Sequence, residues 1–124
     1  MKAVFWQRGE SIDYKNDTQE TIPANTVVAI KTRIGVAGGE ILPGQTGSLH
    51  VCGIFELPKT SKNDIEIGTL VYSDGNGITE SAETAAASEG TGKEGGGKTA
   101  NIPAGYVVEK AAAADTVVKV KLLG

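Results

Sequence analysis

The fold class is decided by one stretch near the end of the chain, Thr116-Val117-Val118-Lys119-Val120-Lys121-Leu122-Leu123. Apolar and basic side chains alternate in it, so that Val118, Val120 and Leu122 share one face, while the opposite face carries Lys119 and Lys121. A period of two is typical of a β-strand with one buried face and one face in water. The stretch therefore predicts a half-buried β-strand.

Similar but shorter patterns fill much of the remaining chain. Residues 48–57 alternate as one long strand with Leu49, Val51, Phe55 and Leu57 on one face, and Pro58 ends it. Turn signals such as Pro43-Gly44 and Asp74-Gly75-Asn76-Gly77 separate the pieces. We therefore predict an all-β fold, a small β-sandwich or β-barrel. Further strands are predicted at residues 26–31, 33–37, 69–73, 77–79 and 105–110.

The composition narrows the function. The 124 residues fit a single domain spanning 1–124, and 12 basic against 15 acidic residues give a net charge of −3. No basic stripe is present, which speaks against a nucleic-acid partner. No segment has the length and apolarity of a membrane span or a signal peptide, and the one cysteine, Cys52, excludes an internal disulfide framework.

A faint internal repeat is visible. Residues 26–30 and 34–36 resemble residues 69–73 and 77–79, and each pair is followed at a distance by a long alternating strand. Two similar hairpin units would give a pseudo-symmetric fold, although a chain rich in valine and threonine also produces such matches by chance.

Residues 80–101 contain alanine, glycine and polar residues but no large apolar side chain. A segment of this kind cannot bury enough surface to offset the entropy of ordering it. We predict a long, flexible, Ala/Gly-rich surface loop between two strands.

The predicted loop contains Gly92-Lys93-Glu94-Gly95-Gly96-Gly97-Lys98-Thr99, which fits the letters of a phosphate-binding P-loop. A working P-loop lies between a buried strand and the first turn of a helix, whose N–H groups hold the phosphates. Here no buried strand precedes the motif, Pro103 and Gly105 fall where the helix should run, and Glu94 would repel phosphate. We interpret the match as a linker.

Other polar residues give no catalytic or metal site. His50 and Cys52 could share a strand face, but two ligands do not make a site. The acidic residues Asp13, Asp17 and Glu20 lack the spacing of a calcium loop. Asp64 and Glu66 sit in a predicted turn. We therefore expect no enzyme activity, no metal and no cofactor.

The N-terminal segment, residues 1–14, has two interpretations. It carries Val4, Phe5, Trp6 and Arg8, and aromatic residues and arginine are enriched at binding hot spots. An extended N-terminal arm could add itself to a strand edge of a partner. Alternatively, Val4, Phe5 and Trp6 form the first strand of the core.

The order of several motifs resembles a family of short tailed-phage and prophage proteins, many of unknown function. The matching stretches span nearly the whole chain, and the most specific is Gly53-Ile54-Phe55-Glu56-Leu57-Pro58-Lys59. The others are Phe5-Trp6-Gln7-Arg8-Gly9-Glu10-Ser11-Ile12-Asp13-Tyr14, Ile34-Gly35-Val36-Ala37, Gly68-Thr69-Leu70-Val71-Tyr72, Ala104-Gly105-Tyr106-Val107-Val108 and Val118-Lys119-Val120-Lys121-Leu122.

Members of this family are often labelled RecA/RadA-type recombinases, and others resemble capsid cement or decoration proteins that sit on phage heads as trimers. The second resemblance implies a structural protein of the virion, made in the bacterial host cytoplasm, that binds the major capsid protein on the head surface. The alternatives are a nucleotide-dependent recombination protein and a fibre or adhesin module that uses the long loop for host contact.

We predict that the protein does not bind ATP, because the P-loop-like motif lacks the strand and helix that a phosphate site needs. Calorimetric titration with ATP and Mg²⁺ should give only the heat of dilution, and Lys98→Ala should change nothing. Saturable binding that Lys98→Ala abolishes would contradict the prediction.

Overall fold

The computed structural model describes residues 1–85 and 98–123, and within these ranges the backbone forms strands, turns and bends without a helix. The all-β prediction is confirmed. The eleven strands are β1 (Ser11–Lys15), β2 (Val27–Ile30), β3 (Arg33–Ala37), β4 (Thr46–His50), β5 (Gly53–Pro58), β6 (Leu70–Ser73), β7 (Ile78–Thr79), β8 (Glu83–Ala85), β9 (Lys98–Ala100), β10 (Ile102–Val107) and β11 (Val117–Leu122).

The strands form two larger sheets and one hairpin. One sheet has the order β1-β4-β3-β2, the second has the order β5-β11-β10-β6-β7, and β8 pairs with β9 alone. The chain divides into two compact units. The first unit consists mainly of Met1–Val28 and Gly35–Gly53, and the second of Ala29–Ile34 and Ile54–Leu123.

Each unit buries the apolar face that its alternating strands provide. The alternating stretch near the end of the chain is β11, and its Val118, Val120 and Leu122 are buried as predicted. In the first unit the buried apolar residues are Val36, Ala37, Ile41 and Leu49. The second unit buries a larger set, which also includes Leu57, Ile65, Val71, Ile78, Ala104, Val107 and Ala111.

Two predicted segments differ from the structure. The long strand at residues 48–57 is wrong, because β4 ends at His50 and β5 begins at Gly53, where a φ of 123° interrupts the extended backbone. The loop at residues 80–101 has a paired base, since Glu83 lies opposite Ala100 and Ala85 opposite Lys98. The middle of that loop, residues 86–97, lies outside the described residues.

The two larger sheets repeat one topology. Replacing β1, β4, β3 and β2 by β5, β11, β10 and β6 converts the first strand order into the second, which adds β7 at its edge. The repeat predicted from the sequence agrees with the structure in its first part, because residues 26–30 and 69–73 contain the equivalent strands β2 and β6. The counterpart of β3 is β10 rather than β7. Strands β7, β8 and β9 are inserted between β6 and β10.

Backbone hydrogen bonds fix the correspondence residue by residue. The N–H of Ala37 donates to the carbonyl of Thr26 over 2.9 Å, and the N–H of Val107 donates to the carbonyl of Thr69 over 3.0 Å. Each unit also has an isolated antiparallel bridge, Ile22 with Ile41 in the first and Ile65 with Ala111 in the second. These matched bonds indicate a structural duplication, in which the second sheet repeats the backbone pattern of the first.

Tight turns follow all four bridge residues, and three of the turns contain a residue with a positive φ. Pro43-Gly44 forms one of them as the sequence indicated, with the N–H of Gln45 donating to the carbonyl of Leu42 and a φ of 80° at Gly44. The same turn recurs with a positive φ at Asn25 and at Gly68. Glycine and asparagine tolerate this left-handed conformation at little cost.

The turn between β6 and β7 depends on Asp74. One carboxylate oxygen accepts the N–H groups of Asn76 and Gly77 over 2.8 and 2.9 Å, and the other accepts the hydroxyl of Thr60 over 2.7 Å. Burial acts to raise the pKa of Asp74, but these hydrogen bonds outweigh it and lower the pKa below its ordinary value. The charged carboxylate thus ties the turn to the segment after β5.

The two units fill their cores with opposite size patterns. A Cβ at Gly47 would lie 2.5 Å from Cγ1 of Ile41, so the isoleucine occupies the space above this glycine. The N–H of Gly38 donates to Ser48 and that of Val108 to Lys119, which makes Gly47 equivalent to Val118. By the same correspondence, the residue equivalent to Ile41 is Ala111. A large bridge residue over a glycine in one unit therefore corresponds to a small bridge residue and a valine in the other.

This exchange predicts strong coupling between Gly47 and Ile41. We expect Gly47→Val to destabilise the protein by about 1–3 kcal/mol through overpacking, and Ile41→Ala by about 2–5 kcal/mol through a cavity. The double variant should lose about 1–3 kcal/mol less than the sum, because the valine fills the space that isoleucine leaves. Urea unfolding of the four proteins measures the coupling.

The control pair is Gly39→Ala with Ile41→Ala, because nothing lies within 4 Å of a Cβ at Gly39. Its effects should add within about 0.5 kcal/mol. Additive costs for Gly47→Val and Ile41→Ala would show that the two positions do not share one space.

Candidate partner-binding surfaces

The N-terminal arm, which we define as residues 1–10, is exposed along its whole length and forms no strand or helix. Val4, Phe5 and Trp6 are 88, 83 and 87% exposed. The arm is shorter than the predicted segment 1–14, because β1 begins at Ser11. The alternative in which Val4, Phe5 and Trp6 form a core strand is not what the structure has.

The arm is attached to its unit at its last residue. The N–H of Val51 donates to the carbonyl of Glu10 over 3.0 Å, immediately before β1 pairs with β4. Arg8 is exposed beside this attachment point. Burying an aromatic or large aliphatic side chain is worth about 1.5–3 kcal/mol, so the three apolar side chains leave a large favourable term unused in the isolated chain.

The second exposed apolar group lies in the second unit. Ile54 and Leu70 are each 59% exposed, Ile67 is 67% exposed and Val117 is 43% exposed. These exposed residues were not predicted from the sequence, because the alternation was used only to identify the buried face of each strand. The signal was present, since Ile54 and Val117 fall on the face opposite the inward residues of their strands.

A shallow depression of about 270 Å³ lies at this side of the second unit and is lined by charges of both signs, among them Glu56, Glu109 and Lys119. Nζ of Lys119 is 2.9 Å from a carboxylate oxygen of Glu109. Hydrogen bonding to Glu109, its charge and that of Glu56 raise the pKa of Lys119. The charges pair with each other, so the depression offers no concentrated charge of one sign to a ligand.

The polar residues singled out in the sequence have structural surroundings. Asp64 accepts the N–H of Ala113 over 2.7 Å, and Glu66 lies 3.4 Å from Nζ of Lys110. Asp13 is exposed on β1, and Asp17 and Glu20 are exposed in the segment after it. His50 ends β4 and is exposed, and Cys52 is half-buried in the connection to β5. Within residues 1–85 and 98–123 no group of three or more such side chains could hold a metal ion.

The end of the P-loop-like motif lies in a strand. Residues 92–97 are outside the described part of the chain, but Lys98 and Thr99 belong to β9, opposite Ala85 and Thr84 of β8. The following residues enter β10 rather than a helix. A phosphate site at this motif would need helical N–H groups at that point. Across the described residues, no helix is long and apolar enough to cross a bilayer.

The single tryptophan makes the arm measurable. We predict that acrylamide quenches the fluorescence of Trp6 in the free protein nearly as strongly as that of N-acetyl-tryptophanamide, since the side chain is 87% exposed. Emission that is shifted to the blue and protected from the quencher in the free protein would contradict the exposed arm.

Comparison with known proteins gives one match. The family described as phage cement protein matches residues 6–122, which covers the strands of both larger sheets and, of the three apolar residues Val4, Phe5 and Trp6, only Trp6. No curated protein matches the chain, and no solved structure matches it. The match agrees with the all-β fold, and it does not support the recombinase or fibre alternatives. The chain belongs to the phage cement protein family, whose members are structural proteins of the phage capsid.

Proposed function

We propose that this cement protein binds the major capsid protein on the outer surface of the assembled phage head, and that the N-terminal arm makes the contact. The observation that supports this most directly is the exposure of Val4, Phe5 and Trp6 on a segment that forms no structure of its own. Large apolar side chains in water are costly to a free chain and become favourable when a partner covers them.

The arm suits strand addition. In an extended backbone successive side chains point to opposite sides, so Phe5 would face one way while Val4 and Trp6 face the other. Main-chain hydrogen bonds to an open sheet edge would supply affinity, and pockets for alternate side chains would supply specificity. Arg8 adds a charge that can pair with a carboxylate of the shell at the base of the arm.

We further propose that the protein acts as a trimer. Three arms held on one particle would engage neighbouring shell subunits together, and linked contacts raise the overall affinity without any new type of contact. Removing one shell subunit would then require breaking contacts to several others. In this proposal the protein reinforces the shell mechanically. A mechanical role agrees with its membership of the phage cement protein family.

The proposed location is the virion, on the head surface, after synthesis in the bacterial host cytoplasm. The free Cys52 fits a protein made in a reducing compartment, because the fold uses no disulfide among its described residues.

Deletion of residues 2–8 tests the arm. The truncated protein should keep its circular dichroism spectrum and its stability within about 0.5 kcal/mol, because the removed side chains are exposed. It should also keep its oligomeric mass. We expect it to lose co-sedimentation with phage heads that lack the cement protein, which the full chain should retain.

A matched pair of point variants separates the arm's side chains from its mere presence. Phe5→Ala with Trp6→Ala should weaken head binding by about 2 kcal/mol or more, roughly 30-fold, as expected of hot-spot aromatics. Lys2→Ala with Gln7→Ala on the same arm should have little effect. Unchanged binding of the deletion and of the aromatic variant would place the contact elsewhere.

A further inference from the structure

One face of the five-stranded sheet is more apolar than its fold requires. Along β10 and its neighbours, Tyr106 lies opposite both Lys121 of β11 and Leu70 of β6, so the three side chains share one face. Ile54 of β5 and Val117 of β11 lie on the same face, because the residues that alternate with them are turned inward. We call this surface the outer face.

The duplication provides an internal control for the outer face. The residues of the first sheet that are equivalent to Ile54 and Val117 are Ser11 and Thr46, both polar, whereas the equivalent of Leu70 is the apolar Val27. Since the first sheet forms the same four strands in the same order with serine and threonine at these two positions, the apolar side chains of Ile54 and Val117 are not needed to build the sheet. Their exposure in the second unit needs another explanation, and exposed apolar patches mark surfaces that bind partners.

The charges of the outer face indicate what binds there. Lys119 and Lys121 are balanced by Glu56 and by Glu109, which pairs with Lys119, so this face is electrically neutral. The chain as a whole carries −3, and a net charge of one sign opposes the association of copies. The repulsion is weakest where a neutral, apolar face is presented, and the pairing of both signs on it suits contact with another surface of the same chain.

We infer that the outer face is the surface through which copies of this chain meet, with a second copy as its occupant. The inference deepens the proposed function, since it names the contact that would hold the proposed trimer together. It does not require the head, because the association is a property of the free protein.

The test is the mass of the free protein. Light scattering coupled to gel filtration should give several times 12.8 kDa for the wild type, and about three times if the assembly is the proposed trimer. The variant with Ile54→Ser, Leu70→Thr and Val117→Thr should elute as a monomer at the same concentration. Its association should be at least about 100-fold weaker, as three lost apolar contacts imply.

The control variant carries Val27→Thr and Leu42→Thr, which remove exposed apolar area from the first unit, where these side chains are 38 and 41% exposed. It should keep the wild-type mass. The single variant Val117→Thr retains a β-branched side chain and shape, and it should dissociate several-fold more readily than the wild type even if the triple variant unfolds.

Three outcomes overturn the inference: a monomeric wild type at all concentrations, an outer-face variant as large as the wild type, or a control that dissociates equally. A monomeric wild type whose outer-face variant no longer binds heads would make the shell the occupant, against our inference. If instead copies associate through the outer face but do not bind heads, the inference stands and the proposed function fails.

Discussion

Each unit is held together by one buried polar side chain that follows its first strand. In the first unit the Asn16 amide donates to the carbonyls of Glu20 and Ile41 over 2.7 and 2.9 Å. In the second, at the equivalent position, the Lys59 ammonium donates to the carbonyls of Ser61 and Ala113 over 2.9 and 3.4 Å. Buried carbonyls without donors are costly. The segment that follows the first strand is therefore fixed by hydrogen bonds in both units. The donor is the Asn16 amide in the first unit and the Lys59 ammonium in the second.

Because the backbone is set by these polar contacts and by the paired bridges, the apolar core can vary around it. Ile41 and Gly47 in the first sheet correspond to Ala111 and Val118 in the second. All four side chains differ, but each pair combines one larger and one smaller residue and fills a similar volume. Cores tolerate such exchange when total volume is conserved. This freedom explains why the duplication is so faint in the sequence: what the two units share is hydrogen bonding and turn geometry, which leave weak marks on side-chain identity.

The fold was predictable where one strand alternates cleanly and where a turn has its own residues. Val118, Val120 and Leu122 marked the buried face, and Pro43-Gly44 marked a turn. The division between β4 and β5 was not predictable, because the alternation continues in letters while Gly53 changes the backbone. In the sequence Pro103 indicates only that no helix follows the P-loop-like motif, and the structure places it in β10, beside a shift of register in the pairing with β6. For the arm, Val4-Phe5-Trp6 suits a core and a binding segment equally, and only the packing of the other strands decides between them.

The duplication also shows which connection the fold can lengthen. Between the equivalent strands β2 and β3 the first sheet needs only Lys31 and Thr32, whereas the second sheet has the chain of β7, β8 and β9 between β6 and β10. Extra length in such a connection adds closure entropy only slowly and leaves the strand pairing intact. The hairpin tip at Lys31-Thr32 is therefore the natural graft point of the first sheet. A foreign epitope inserted there would follow a route that the same backbone has already accommodated once, which makes the chain a scaffold for peptide display.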